Sequence, residues 1–246
     1  MTTTMNMSGD EGDGEGLEPA QKIVASIYAL RTTFLVLGAA LIIGTSGFYF
    51  ISPRIFAFVQ KHLHQQLAFF TVAEPFLAHV KLALVATIIT LMPAFIFCLW
   101  RGLAGPFKLS RRSQAGFIIT TCLLFYAGGL FCYFVTLPLG INFLLGYESE
   151  QLQSVISVGR FVGFVTLFVV AFGLIFELPI FMVFAGNVGL IRCEQFVRNR
   201  KFAILGIAIV SALLTPADIM TMLLMGGPLY ILYELGILIL RLLRVP

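Results

Sequence analysis

Long apolar runs constrain the fold of this chain more than any other feature. A helix that crosses the hydrocarbon core of a bilayer needs about 20 mainly apolar residues. Runs of this kind lie at Thr33–Phe50, Val80–Trp100, Gly116–Leu137, Phe161–Phe184, Phe202–Leu214 and Ile219–Leu240. The chain is 59% hydrophobic with a mean hydropathy of +0.98, which is more apolar surface than a water-soluble domain can bury. We therefore predict an all-α integral membrane protein with six transmembrane helices.

The basic residues predict how these helices are oriented. Twelve of the sixteen Lys and Arg residues lie in the N-terminal segment, the 101–113 loop, the 189–201 loop and the C-terminal end. The other four are Arg54, Lys61, Lys81 and Arg160. Because cytoplasmic loops carry an excess of Lys and Arg, both termini are expected in the cytoplasm. The net charge of +4 follows from this asymmetry and does not indicate a nucleic-acid partner.

Composition separates a tail from the membrane domain. Residues 1–19 are polar, glycine-rich and acidic, so they cannot bury enough surface to fold alone. They are predicted to form a disordered tail, which is either a solvated segment or an acidic docking arm for a basic partner. Residues 20–246 are assigned to a six-span membrane domain.

Two segments depart from a simple span-and-loop pattern. Phe202–Leu214 would form only about 20 Å of helix against a hydrocarbon core of about 30 Å. The fifth and sixth helices are therefore expected to be short, with a thin or water-accessible wall around them. In the first external loop, Phe56, Val59 and Leu63 recur at helical spacing, which predicts an amphipathic helix lying in the membrane interface.

Catalytic and metal-binding patterns are absent from the sequence. Cys98, Cys122, Cys132 and Cys193 form no Cys-x-x-Cys pair and are interpreted as small hydrophobic residues. His62 and His64 have no third ligand near them. We expect no enzymatic activity, no catalytic residues, no metal and no cofactor.

Glu177 is a carboxylate inside an apolar run, and Pro179 follows it. A charge at the bilayer centre costs about 2.5–3.5 kcal/mol on insertion scales, so such a residue is expected to face the bundle interior or a wet cavity. Pro179 frees a backbone carbonyl and bends the helix. The pair predicts a kinked helix that presents one carboxylate to a concave, hydrated face, as a functional polar site or as a structural acid. Glu234 lies near a basic loop and is expected to pair with it.

Several motifs resemble those of the TatC family, the polytopic core of the twin-arginine protein translocase. They are FELP at Phe176–Pro179, LLTPAD at Leu213–Asp218, PLYILYELG at Pro228–Gly236, LFYAGGLFCYFVTLPL at Leu124–Leu139, and Glu74-Pro75-Phe76 followed by Lys81. The resemblance extends from about Lys22 to Arg244 in the family's order.

The resemblance implies a cupped bundle of six helices in a bacterial-type inner membrane. Members of the family bind twin-arginine signal peptides on the cytoplasmic side. They assemble with the single-span proteins TatA and TatB into a larger membrane complex and export folded proteins using the proton-motive force. By this resemblance Glu177 and Pro179 belong to the concave polar site, and Asp218 is the acid of the external turn between the last two spans. Glu74, Pro75, Phe76 and Lys81 form an external-loop motif. Leu30, Arg31, Arg111 and Arg112 lie on the signal-peptide face.

Two positions depart from the family pattern. Ala29 and Ser110 stand where the resemblance implies glutamates that contact the paired arginines of the signal peptide. The chain is thus expected to be a working translocase receptor in which either the signal selectivity is altered or a partner copy supplies the carboxylates. The first alternative is a TatC-like scaffold that has lost signal recognition and serves as a structural subunit of another membrane complex. A further alternative, an ion-coupled transporter that uses Glu177, is opposed by the lack of internal repeats.

Overall fold

The fold is a bundle of apolar helices, described here from a computed structural model. The described residues are 19–60, 67–104, 107, 110–146, 156–214 and 219–243. The acidic tail, His62 and His64, and Asp218 lie outside them. For residues 19–34, which include Leu30 and Arg31, the backbone is described but the side chains are not.

Nine α-helices account for most of the described chain. They are α1 (Pro19–Gln60), α2 (Ala73–Ala104), α3 (Arg111–Phe131), α4 (Leu137–Leu145), α5 (Val158–Ile175), α6 (Leu178–Asn187), α7 (Cys193–Arg198), α8 (Arg200–Leu214) and α9 (Ile219–Leu242). A π-helical turn, Cys132–Thr136, joins α3 to α4, so the two form one continuous apolar span.

Helix α1 extends beyond the span that the sequence predicted. It continues without a break from Pro19 to Gln60, so the prediction of a separate interfacial helix after residue 51 is wrong for residues 51–60. The apolar side chains of that stretch, including Phe56 and Val59, pack against the core of the bundle. Their helical spacing reflects burial within the protein, which the sequence pattern could not distinguish from burial in the membrane interface.

Two prolines lie inside long helices without interrupting them. Pro53 in α1 and Pro93 in α2 each leave the carbonyl four residues earlier without its helical N–H partner. The Ser52 hydroxyl donates to Tyr49 O at 2.7 Å, and the Tyr126 hydroxyl donates to Ile89 O at 3.0 Å. These hydroxyls bond the freed carbonyls, which is how membrane helices accommodate proline.

Five described segments are long and apolar enough to cross a membrane. Helix α8 has 15 residues, or about 22 Å, and confirms that the fifth expected span is short. Helix α9 has 24 residues, or about 36 Å, so the expectation that the sixth helix is also short is wrong. The apolar run that ends at Leu240 continues as helix through Leu242, and Pro228 within it does not end the helix.

The core divides into two clusters of buried apolar residues. One centres on α5 and includes Val162 and Phe172, and the other joins α2, α6 and α9 through Trp100, Ile180 and Leu240. Large hydrophobic side chains such as Ile43 and Leu213 are exposed on the outside of the bundle. Exposed apolar side chains of this kind are expected on a protein surrounded by lipid.

A short parallel strand pair was not predicted from the sequence. Strand β1 (Leu67–Ala68) pairs with β2 (Ile156–Ser157), with Leu67 opposite Ile156. The pair joins the segment before α2 to the segment before α5, and it places the N-terminal turns of these two helices side by side.

Candidate functional site

The fourth predicted span is broken at Glu177. Helix α5 ends at Ile175 and α6 begins at Leu178, with Pro179 in the first turn of α6. A proline fits the first turn of a helix because the N–H groups there have no intrahelical acceptor. The predicted interruption of this span is therefore confirmed, and it lies at Phe176 and Glu177, one turn or less before Pro179.

The Glu177 side chain is buried, contrary to the expectation of a hydrated face. It is only 3% exposed. The Thr121 hydroxyl of α3 lies close enough to interact with the carboxylate, but within the described residues no contact of either carboxylate oxygen meets hydrogen-bond geometry. Neighbouring helices cover the side chain because the break at Phe176 turns it into the bundle. A buried carboxylate with so few partners is costly, which makes Glu177 the candidate functional residue of this span.

Trp100 connects α2 to this site. Its indole Nε1 donates to Thr121 Oγ1 at 3.0 Å, and the Trp100 side chain is completely buried. Its ring stacks on Phe117 at 4.6 Å and meets Phe184 edge-on at 5.0 Å. A hydroxyl that accepts a hydrogen bond can still donate its own proton. Thr121 can therefore accept from Trp100 while its proton is directed to Glu177.

Helix α9 packs tightly against the first turn of α6. A Cβ atom at Gly236 would lie 2.6 Å from Met182 Sδ and 3.4 Å from Pro179 Cα. A larger residue at position 236 would force the Met182 side chain to move, so glycine favours this close approach. The contact places α9 directly beside the broken helix that carries Glu177.

Glu74 joins the two strand-bearing segments. Its Oε2 accepts from Phe70 N at 2.8 Å, and its Oε1 accepts from Gly159 N at 3.1 Å and from the Ser157 hydroxyl. The carboxylate thereby caps the N-terminus of α5, where the backbone dipole favours a negative charge. The structure gives Glu74 a definite architectural role within the predicted external-loop motif.

The other residues of that motif do not converge on Glu74. Phe76 is exposed and meets the Tyr49 ring of α1 at 5.9 Å. Pro75 is half-buried in the first turn of α2, and Lys81 is exposed two turns further along the helix. Of these residues only Lys81 lines the same cavity as Glu74, so the motif as a whole does not form a single cluster of side chains.

The predicted signal-peptide face is only partly described. Arg111 and Arg112 are exposed at the start of α3. Ser110, which stands where the resemblance implied a glutamate, caps α3 by accepting from Ser113 N at 3.2 Å. For Leu30 and Arg31 only the backbone position in α1 is described.

Glu234 pairs with a basic residue, as the sequence indicated. Its carboxylate lies 2.8 Å from the Arg200 guanidinium and accepts from the Tyr230 hydroxyl at 3.1 Å. The pair joins the start of α8 to α9. Both side chains are partly exposed, so the contact is that of an ordinary surface ion pair.

Sequence reasoning missed four residues of these sites: Trp100, Thr121, Ser157 and Gly159. Each acts through a partner that is distant in sequence, 21 residues for Trp100 with Thr121 and 85 for Glu74 with Gly159. Trp100 is the only tryptophan in the chain, which was the one available signal. Within the described part of the chain, no group of His, Cys, Asp and Glu is arranged to hold a metal.

A bundle of long apolar helices around a nearly unpaired buried carboxylate defines a polytopic membrane protein with a polar site between its helices. The comparisons identify the family. The model described as Sec-independent protein translocase protein (TatC) matches residues 26–228, and the chain belongs to the TatC family.

Curated relatives agree with this assignment along most of the chain. The Sec-independent protein translocase protein TatC of Desulforapulum autotrophicum is 31% identical over 216 residues, which is 85% of this chain and 78% of that protein. The protein of the same name from Escherichia coli strain K12 is 28% identical and covers 90% of this chain and 88% of its own length.

The fold agrees with a solved structure. A crystal structure of the twin arginine translocase receptor TatC, determined in the detergent DDM, has a TM-score of 0.79 and 29% sequence identity. The match covers 87% of this chain and 98% of that chain. It confirms the TatC-like helical bundle predicted from the motifs.

Proposed function

We propose that this protein is the TatC-type subunit of a Sec-independent twin-arginine translocase. In this role it receives signal peptides and forms the core on which the export complex assembles. The observation that carries the proposal is the match of nearly the whole bundle to a twin arginine translocase receptor, which covers 98% of that chain. A scaffold for an unrelated complex is not favoured, since the relatives are named as translocase proteins.

The orientation and location follow from the distribution of charge. Both termini lie in the cytoplasm, and the protein spans the inner membrane several times. Arg111 and Arg112, exposed at the start of α3, then face the cytoplasm, and Glu74 lies at the external end. The basic-residue asymmetry supports this arrangement.

Single-span proteins of the TatA and TatB type are the proposed partners. A buried carboxylate with only one nearby hydroxyl, Glu177 beside Thr121, supports a contact site within the membrane, because a polar group of a partner helix would supply the missing hydrogen bonds. Asp218 is assigned to the external turn of the same polar surface by family resemblance.

Complementation tests the proposal. The chain is expressed in a bacterium that lacks its own TatC-type subunit, together with a folded reporter carrying a twin-arginine signal. The reporter should reach the periplasm, and a reporter with two lysines in place of the arginines should remain inside. If the chain is inserted in the membrane and co-purifies with an unrelated membrane complex, but exports neither reporter with any TatA/TatB set, the scaffold alternative is correct.

A further inference from the structure

A cavity of about 570 Å³ lies at the Glu74 end of the bundle, between the first turns of α2 and α5. Its walls combine apolar side chains with polar and charged ones, and the charged side chains lie on both helices. The lining residues that matter here are Glu74, Leu77, Ala78, Lys81, Ile156 and Arg160. We call it the Lys81–Arg160 cavity.

The charges in this cavity are unbalanced. Both oxygens of Glu74 are already occupied by Phe70 N, Gly159 N and the Ser157 hydroxyl. Lys81 and Arg160 are both exposed. Neither side chain forms a hydrogen bond or ion pair within the described residues, although the Arg160 backbone N–H donates to the Ser157 hydroxyl at 3.3 Å. Two cations therefore face one cavity together with a single carboxylate whose hydrogen-bonding capacity is used elsewhere.

The depth of Lys81 places it at the level of lipid headgroups. The apolar segment of α2, Ala73–Leu103, has 31 residues and a length of about 46 Å, which exceeds a hydrocarbon core of about 30 Å by roughly 8 Å at each end. Lys81 lies about 12 Å from the start of α2, only a few ångströms inside the core. A lysine at this depth extends its ammonium group to the interface, toward the end of the bundle where Arg160 begins α5.

We propose that the Lys81–Arg160 cavity binds the phosphate of an anionic phospholipid. The two cations hold the phosphate, and the lipid chains lie along the exposed side chains of Phe70 and Leu77. A lipid fits better than a soluble phosphate because the lining also presents the exposed apolar side chains of Phe70 and Leu77 beside the two cations. The proposal concerns lipid binding and does not depend on the transport function.

Native mass spectrometry of the full chain in detergent tests this proposal. The protein is titrated with equal amounts of phosphatidylglycerol and phosphatidylethanolamine of matched chain length. The unmodified chain should retain the first phosphatidylglycerol preferentially, and Lys81→Gln with Arg160→Gln should weaken that binding about 20- to 30-fold, since each interfacial cation contributes about 1 kcal/mol. Arg54→Gln removes an exposed cation that does not line the cavity and should leave binding unchanged.

Two further arms identify the source of the phosphate and the cause of any loss. Inorganic phosphate at millimolar concentration should not displace the lipid; equal displacement would make this a site for soluble anions and overturn the proposal. Lys81→Arg with Arg160→Lys keeps both charges and should retain binding. The melting temperature of the glutamine variant in lipid-free detergent shows whether it remains folded.

The opposing result is equal phosphatidylglycerol binding by the glutamine pair and by Arg54→Gln. Neutralisation by the chain's own acids would also overturn the proposal. Glu148 and Glu150 precede β2 in sequence. If the unmodified chain shows no preference but Glu148→Gln with Glu150→Gln creates one, those acids and not a lipid are the partners of Lys81 and Arg160.

Discussion

The Glu74 carboxylate packs against Gly159 so closely that a Cβ atom there would lie 2.7 Å from Glu74 Cγ and 2.9 Å from Oε1. Gly159→Ala should therefore displace the carboxylate, weaken its hydrogen bonds and lower the melting temperature. Thermal unfolding in detergent measures the change.

Gly163→Ala is the matched control, because a Cβ atom there meets only the Lys81 Nζ at 3.8 Å. In a Glu74→Ala background, Gly159→Ala should cost little more, since the displaced group is already gone. If the stability losses of Glu74→Ala and Gly159→Ala simply add in the double variant, the proposed contact between the two residues is contradicted.

Tyr126 should stabilise α2 only because Pro93 frees the Ile89 carbonyl. Tyr126→Phe removes the hydroxyl that donates to Ile89 O and should cost about 1 kcal/mol. Pro93→Ala returns a backbone N–H to that carbonyl, so Tyr126→Phe should cost less in the alanine background. The measurement is thermal unfolding of the unmodified chain, the two single variants and the double variant. An equal cost of Tyr126→Phe in both backgrounds would show that Tyr126 acts through packing alone.

Glu177→Gln should reduce export without preventing insertion or folding. The amide has nearly the volume of the carboxylate, and the side chain is buried, so only the charge is lost. Export of a twin-arginine reporter and crosslinking to TatA- and TatB-type partners are the measurements. If expression, export and crosslinking all match those of the unmodified chain, Glu177 has only a structural role.

The isolated chain should bind a twin-arginine peptide weakly. Ala29 and Ser110 provide no carboxylate, and the nearby Arg111 and Arg112 are exposed cations that repel an arginine pair. Any binding should disappear when residues 1–19 are deleted, because that segment supplies the only nearby run of acids. Peptide titration in nanodiscs at two salt concentrations is the measurement.

Introduced carboxylates should strengthen this peptide binding. Ala29→Glu with Ser110→Glu adds both charges, and Ala29→Glu with Ser110→Asp also preserves the cap that Ser110 provides for α3, since Asp is a good N-cap residue. Tight, salt-insensitive binding by the unmodified chain, unaffected by removing the tail, would show that the arginines are recognised elsewhere.

The orientation can be measured by labelling single cysteines in a cysteine-free background. A cysteine at Ser149 should react with an impermeant reagent from outside, and a cysteine at Ser113, which is exposed near the start of α3, only from inside. The reverse pattern would invert the assignment of the two faces.

Sequence reasoning was most successful where a residue conflicted with its surroundings. An acid and a proline in an apolar run identified the broken helix at Glu177, and a short run identified α8. Sequence reasoning failed where one pattern is compatible with two environments. The apolar spacing of Phe56 and Val59 fits both a helix in the membrane interface and a helix packed in the bundle. The Glu74–Gly159 and Trp100–Thr121 contacts depend on how distant segments meet, which no local pattern contains.

The length of α1 has a mechanical consequence. Its 42 residues form a rod of about 63 Å, roughly twice the thickness of the hydrocarbon core. A tilt of about 5° around its midpoint moves the two ends by about 3 Å in opposite directions, which is as much as the length of a hydrogen bond. Moving as a rigid rod, α1 would act as a lever in which a displacement of its Gln60 end produces a smaller displacement, in the opposite direction, of the segment around Arg31.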